Sequence, residues 1–352
     1  QVGPRGSVWL TQKRPTGFDF NEWVHKTKKL SAAERTKEVE QVYDWIYKKK
    51  VTSFAEMTNL SKKLRAYLEE YYTFGSLEVD TRQISADGTE KFLFKLSDGN
   101  LIETVLMRHS YGNSVCVTTQ LGCNIGCSFC ASGLEKKKRD LKTEEIVLQI
   151  LEIEKLSKER VSHIVVMGIG EPFDNYLNTM KFVDIVNNPY GLEIGARHIT
   201  ISTSGLVPKI REFADREKQV NLAISLHAPN DAIRTKLMKV NIAYPITEVI
   251  EAAKYYVEKT NRRITFEYIL LKGINDELKH ADELSNLLRG INCYVNLIRY
   301  NYVEEFAYKG SSEERANAFY LQLKRRGINA TLRKEKGGDI DAACGQLRSK
   351  KS

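Results

Sequence analysis

From residue 114 onward, short β-branched runs alternate with amphipathic helical stretches, and this alternation constrains the fold more than any other feature of the chain. Strands are expected at 114–119, 163–167, 198–202, 221–225, 264–270 and 294–298, each followed by a loop and a helix. Two strands joined through a helix run parallel, because only a long crossover brings the chain back to the same end of a sheet. Six such units imply an α/β fold in which a parallel sheet curls into a partial (β/α)6 barrel. Small and polar residues gather where the expected strands end, at the edge where barrel sites form. Motifs far apart in sequence therefore face one cavity.

The segment ahead of the barrel reads differently. Val39, Val42, Tyr43 and Ile46 make an apolar helical stripe, and Ser61 caps a helix that begins at Lys62. Tyr43, Trp45 and Tyr47 beside Lys48 suit either a core or stacking on bases. Phe92, Phe94 and Leu96 alternate before Ser97-Asp-Gly-Asn100, and Leu101 to Met107 returns, which reads as a β-hairpin. The expected divisions are a non-native or disordered start (1–17), a helical RNA-binding accessory domain (18–75), a β-hairpin extension (76–112), the partial barrel (113–336) and a C-terminal loop (337–352). The start, Gln1-Val-Gly-Pro-Arg-Gly-Ser7, lacks a methionine and the charged-then-apolar order of a secretory signal.

The 352 residues carry 54 Lys and Arg against 45 Asp and Glu, a net charge of +9 that favours a polyanionic partner. No apolar run approaches the ~18 residues that would span a bilayer. Basic runs include Lys48-Lys-Lys50, Lys324-Arg-Arg326 and Lys136-Lys-Lys-Arg139, the last expected at the mouth of a site because it follows a cysteine cluster. Six cysteines, three of them within eight positions, do not make a secreted disulfide framework and fit a reducing cytoplasm.

That cluster is Cys123, Cys127 and Cys130, spaced C-x3-C-x2-C. It supplies three thiolates and no fourth. A [4Fe-4S] cube takes one ligand per iron, so three leave one iron open to a small molecule. Zinc prefers four closed ligands, often as two C-x2-C pairs, and no second pair exists. Phe129 would shield the cluster from water. In Gly168-Ile-Gly-Glu-Pro172 the third glycine of a dinucleotide loop is missing, so the glycines are read as letting backbone approach a ligand, with Glu171 offered to a ligand amine. Ser202, Ser225, His227 and Asn301 add groups suited to ribose and amino-acid ends. On residue type alone, Cys116, Cys293 and Cys344 read as buried thiols, and Glu103 as a solvent-facing strand residue.

Together the cysteine loop, Gly170-Glu-Pro172, Ser202-Thr-Ser-Gly205, Ser225-Leu-His227 and Asp339-Ile-Asp-Ala-Ala-Cys-Gly-Gln-Leu347 resemble the RlmN/Cfr family of radical S-adenosylmethionine RNA adenine methyltransferases. The resemblance implies a radical S-adenosylmethionine partial barrel, a [4Fe-4S] cluster on Cys123, Cys127 and Cys130, and two S-adenosylmethionine molecules per turnover. It implies that Gly170, Glu171, Ser202, Ser225, Leu226, His227 and Asn301 bind S-adenosylmethionine. Cys344 becomes the methyl-carrying cysteine, Cys116 its resolving partner in a transient disulfide, and Glu103 the proton acceptor. The implied reaction is methylation of adenine carbon 2 in 23S ribosomal RNA and in transfer RNA, with an electron donor such as flavodoxin, in the cytoplasm. Leu297-Ile-Arg-Tyr-Asn301 is nearer the Cfr pattern and keeps carbon 8 as an alternative. A metal-stabilised RNA-binding protein without activity is the alternative from another class.

Overall fold

The computed structural model describes residues 10–12, 32–216 and 219–349. Apart from Leu10–Gln12, the expected start and the first part of the accessory segment (18–31) lie outside the described residues. The chain forms two compact units. One gathers the described residues up to Glu78 with Lys142–Arg160 and Leu177–Gly195; the other holds Val79–Leu141, Val161–Tyr176 and the described residues from Ala196 onward.

In the first unit, β1 (Leu10–Gln12) pairs antiparallel with β2 (Tyr72–Phe74). Helix α1 (Ala32–Tyr43) runs into a widened turn at Asp44–Lys48. Of the stripe read from sequence, Val42, Tyr43 and Ile46 are buried, at most 4% exposed, and Val39 is half-buried; Tyr47 joins them at 1%. Tyr43 and Tyr47 pack ring to ring, 5.2 Å between centroids, so they serve the core; Trp45 lies half-buried under the Lys49 ammonium. Helix α2 (Lys62–Tyr71) starts as expected, with Ser61 Oγ accepting from Leu64 N. In helix α3 (Thr143–Ser157), Thr143 is the first helical residue and its hydroxyl donates to Asn178 Oδ1 at 3.1 Å, while Glu145 accepts from the backbone N of Lys142.

The second unit is built on a ten-stranded sheet in the order β14-β13-β12-β11-β10-β9-β6-β5-β4-β3. Its parallel part comprises β6 (Gly112–Cys116), β9 (Val161–Val166), β10 (Ile199–Thr203), β11 (Asn221–Ser225), β12 (Ile264–Leu270), β13 (Cys293–Arg299) and β14 (Ala330–Leu332). The order has two free ends, so the sheet is an open, partial barrel. Among the described residues five helices of this unit accompany the strands: α4 (Val207–Arg216), α5 (Asp231–Leu237), α6 (Ile246–Thr260), α7 (Leu278–Leu287) and α8 (Glu313–Arg325). On β12, Phe266 and Tyr268 on one face and Glu267 and Ile269 on the other are all buried, as a strand covered on both faces requires.

The expected hairpin continues this sheet. β4 (Glu90–Lys95) and β5 (Leu101–His109) pair antiparallel, and β5 pairs with β6 with Val105 opposite Cys116. A second Asp-Gly turn at Asp87-Gly88 leads from β3 (Glu78–Ile84), with Ser85 N donating to Thr89 O at 2.8 Å. Residues 102–107 of β5 are buried without a break. Glu103, 2% exposed, is therefore an interior residue, and reading it as solvent-facing fails because β5 is covered on both faces.

Candidate functional site

A short ribbon fixes the cysteine loop. β7 (Gln120–Leu121) pairs antiparallel with β8 (Arg139–Asp140) and closes the segment between them. Gly122 follows with φ +74°, and a Cβ there would lie 2.4 Å from the Lys136 carbonyl oxygen, so only glycine fits. Within the loop, Cys123 N donates to Glu135 O at 3.0 Å and Ser128 N to Leu237 O at 2.9 Å. Two members of the basic run beside the loop, Lys137 and Arg139, are paired with carboxylates. Lys137 pairs with Asp174 at 2.7 Å and Asp140 at 3.3 Å, and Arg139 with Asp98 at 2.6 Å, because the ribbon turns these side chains onto neighbouring carboxylates.

Cys123, Cys127 and Cys130 line one open cleft. The ends of three parallel strands complete it: Gly170 and Glu171 beyond β9, Ser202 in β10, Ser225 in β11, and His227 just beyond β11. The Glu171 carboxylate is buried, accepting from Ser204 N at 2.7 Å and Phe173 N at 3.0 Å, and burial pushes its protonation upward. His227 sits at φ +56°, its Nδ1 accepting from Ile269 N at 3.1 Å, and burial followed by the Arg234 charge lowers its pKa to about 3. The imidazole is neutral, with the remaining proton on Nε2. Its ring meets Phe129 edge-on at 5.0 Å.

The tail loop docks on the cysteine loop. Ala131 N donates to Gly345 O at 2.8 Å, and Ser132 Oγ to Leu347 O at 2.8 Å. Cys344 thereby lines the same cleft as the three clustered cysteines. It also lines an adjoining cavity with Cys116, Asn301 and Arg333. Cys116 ends β6, and burial together with the nearby Cys344 raises its thiol to about 12. Cys293 is a buried residue at the start of β13, as read.

Three expected residues sit otherwise than in the cleft lining. Asn301 lies in the adjoining cavity, its amide donating to Cys344 O at 3.0 Å. Leu226 is fully buried, its N–H directed to Glu267 O. Glu103 is capped by the tail: Oε2 accepts from Arg348 N at 2.7 Å and Ser349 N at 3.0 Å, with Lys91 Nζ 3.4 Å from Oε1. Arg299 points its Nε toward Ser311 O and lines neither cavity.

Sequence reasoning missed residues that hold the site in place. Arg234, fully buried, donates to Ser204 O at 2.6 Å and Asn241 Oδ1 at 2.9 Å, and a charged residue in a short helix gives no sign of such burial. Asn275 reads as a turn residue beside Gly273, yet its buried amide joins His227 O, Ile269 O and Leu271 N. Gln120 donates to both Asp140 and Asp174 and accepts from Glu171 N at 2.8 Å, linking the ribbon to the Glu171 loop.

The donor set fits an iron–sulfur cube. As free thiols the three are pushed up by burial, Cys123 to about 12, with Cys127 and Cys130 also raised, so thiolates there call for a positive centre. Among the described residues no three His, Cys, Asp or Glu converge on a point that suits a single ion, whereas a cube takes each sulfur on a different iron.

Comparison with known proteins agrees. Residues 117–284 match the radical SAM superfamily, and residues 30–73 the ribosomal RNA large subunit methyltransferase N-terminal domain. The chain is 60% identical over 310 residues to a probable dual-specificity RNA methyltransferase RlmN of Acholeplasma laidlawii, covering 88% of this chain and 92% of that protein. The protein of the same description from Bacillus subtilis is 53% identical over 344 residues, covering 97% and 95%. The chain belongs to the RlmN family of radical S-adenosylmethionine RNA methyltransferases. A crystal structure of a radical SAM methyltransferase from Sphaerobacter thermophilus superposes with a TM-score of 0.84 at 44% identity, covering 91% of this chain and 95% of that one. The cofactors are those of the superfamily, a [4Fe-4S] cluster and S-adenosylmethionine. No described helix is long and apolar enough to cross a membrane.

Proposed function

We propose that this enzyme methylates carbon 2 of an adenine in 23S ribosomal RNA and in transfer RNA, by way of a methyl group carried on Cys344. The observation that carries the reading is the position of Cys344, whose residue lines both the cleft of the three cysteines and the cavity of Cys116. Cys123, Cys127 and Cys130 would hold the cluster. Gly170, Glu171, Ser202, Ser225 and His227 would bind S-adenosylmethionine, with Leu226 and Asn301 supporting that pocket from behind. When bound, the reduced cluster supplies an electron that splits the sulfonium and yields an organic radical.

The chain's own residues do the rest. An adenine ring carbon between two nitrogens is electron-poor and does not attack a sulfonium methyl group, whereas a thiolate does. Cys344 therefore takes the methyl first and delivers its carbon to the base as a covalent enzyme–RNA adduct. Cys116, in the same cavity, attacks the Cys344 sulfur; methylated RNA leaves, and the two cysteines are joined until reductant restores them. Glu103 is the acceptor for the ring proton, a role that requires Arg348 and Ser349 to withdraw from its carboxylate. A low-potential donor such as flavodoxin and a cytoplasmic location suit this chemistry. An adenine must be unpaired or extruded to enter the cleft. Carbon 8 has no support from position 299, since Arg299 is turned to Ser311.

Mass spectrometry of nucleosides from RNA treated with the reconstituted enzyme tests the proposal. The expected product is 2-methyladenosine; 8-methyladenosine would move the target to the other carbon. Cys344→Ala is expected to abolish RNA methylation while cleavage of S-adenosylmethionine persists. Methylation retained in that variant would remove Cys344 from the role.

A further inference from the structure

We propose that Arg333 is a catalytic residue for loading the methyl group, its guanidinium binding the Cys344 sulfur as an anion before transfer. The inference rests on the reading of Cys344 as the methyl carrier. Arg333 directly follows the edge strand β14, and its N–H donates to Leu297 O at 2.8 Å, which ties the backbone to the sheet. From there Nη1 lies 3.4 Å from Cys344 Sγ, within range of a hydrogen bond to sulfur. Lys336 lines the same cavity but directs Nζ to Arg108 O at 3.0 Å, and Arg348 is committed to Glu305 and Asp341. Arg333 is thus the cation placed on the sulfur. Glu267, a buried carboxylate on β12 held by Asn296 Nδ2 at 2.8 Å, also acts on its charge. The Cys344 sulfur, foremost, holds Arg333 above its ordinary protonation range against the opposing effect of burial.

The chemistry needs such a cation. A thiolate, not a thiol, displaces a sulfonium. The thiol proton leaves to solvent, a sulfur lone pair forms the S–CH3 bond, and the methyl–sulfonium bond breaks with its electrons kept on the departing sulfur, giving S-adenosylhomocysteine. No oxidant is consumed. The thioether product is uncharged and no longer attracts the guanidinium, so the contact acts on the sulfur before transfer and releases it afterwards. Stabilising a thiolate lowers its intrinsic reactivity by about half, on a logarithmic scale, of what it adds to the thiolate population. Losing a hydrogen bond to a charged group should therefore slow the sulfur about three- to tenfold near neutral pH.

The test is alkylation of unmethylated Cys344 by iodoacetamide in cluster-reconstituted enzyme, followed by peptide mass spectrometry. Arg333→Gln is expected to react about three- to tenfold more slowly than the parent, and Arg333→Lys, which restores the charge, to recover to within about twofold. An unchanged rate in Arg333→Gln, or an Arg333→Lys variant as slow as the Gln one, would overturn the inference. If Arg333→Gln does not retain its cluster, Arg333→Met, which keeps the bulk of the stem, replaces it under the same criteria. Incubation of the parent with S-adenosylmethionine alone separates the two proposals. Absence of a methyl mass increment on Cys344 would sink the carrier reading, while the alkylation rates would still decide the role of Arg333.

Discussion

Replacing Asn275 by alanine should damage the site without touching any cofactor-facing atom. The side chain is fully buried, donates to His227 O at 2.8 Å and Ile269 O at 2.7 Å, and accepts from Leu271 N at 2.8 Å. Alanine would leave two buried carbonyls and one buried N–H unpaired. At about 1–2 kcal/mol for each, the loss is about 3–6 kcal/mol, a large share of the ~5–15 kcal/mol that holds a typical domain. His227, at φ +56°, would also lose the bond that keeps its carbonyl in place. Urea denaturation is expected to show a lower midpoint at unchanged slope, and calorimetry a weaker affinity for S-adenosylmethionine. Asn286→Ala, which removes only an exposed bond to Arg289, serves as the control and should change stability by less than about 0.5 kcal/mol. A loss below about 1 kcal/mol in Asn275→Ala, with affinity intact, would refute the claim that this amide organises the His227 turn.

Three further outcomes are expected. Cys116→Ala should accumulate a protein–RNA adduct visible on denaturing gels, and free methylated RNA at the parent rate would argue against resolution by Cys116. Gly122→Ala should lower the iron content after reconstitution, because its Cβ would meet a backbone carbonyl at 2.4 Å in a left-handed turn; full iron loading would disprove that constraint. Acid should destabilise the protein through His227. Its pKa falls from the ordinary 6.5 to about 3, so between those values the unfolded chain takes up a proton that the folded one refuses, and stability declines as pH falls. At pH 5.5 this amounts to about 1.4 kcal/mol, and His227→Gln should reduce the loss of stability between pH 7 and 5.5 by about 1 kcal/mol.

Legibility in the sequence followed the strength of local signals. The six βα units and the cysteine loop could be read because β-branched runs and thiol spacing survive without tertiary context. Asp98-Gly99 announced one hairpin, and Asp87-Gly88, the same signal eleven residues earlier, marks another turn that was open to the same inference. β14 is three residues long and shows no period. Glu103 misled because a carboxylate in a strand ordinarily marks a wet face, and here the tail's own backbone N–H groups replace water. Arg234, Asn275 and Arg333 could not be found from the chain alone. Each works through backbone carbonyls or a sulfur brought near by folding, and no spacing rule connects such partners.

The ribbon that shuts the cysteine loop has a consequence for how the metal centre is built and rebuilt. Many small metal-binding modules gain their shape only when the ion arrives, so that chelation unfolds them. Here Gln120, Leu121, Arg139 and Asp140 pair strand to strand, and backbone bonds from Cys123, Ser128 and Ala131 anchor the thiols to three different parts of the chain. These bonds run through backbone and not through sulfur, so holding the loop and assembling the centre fall to different atoms.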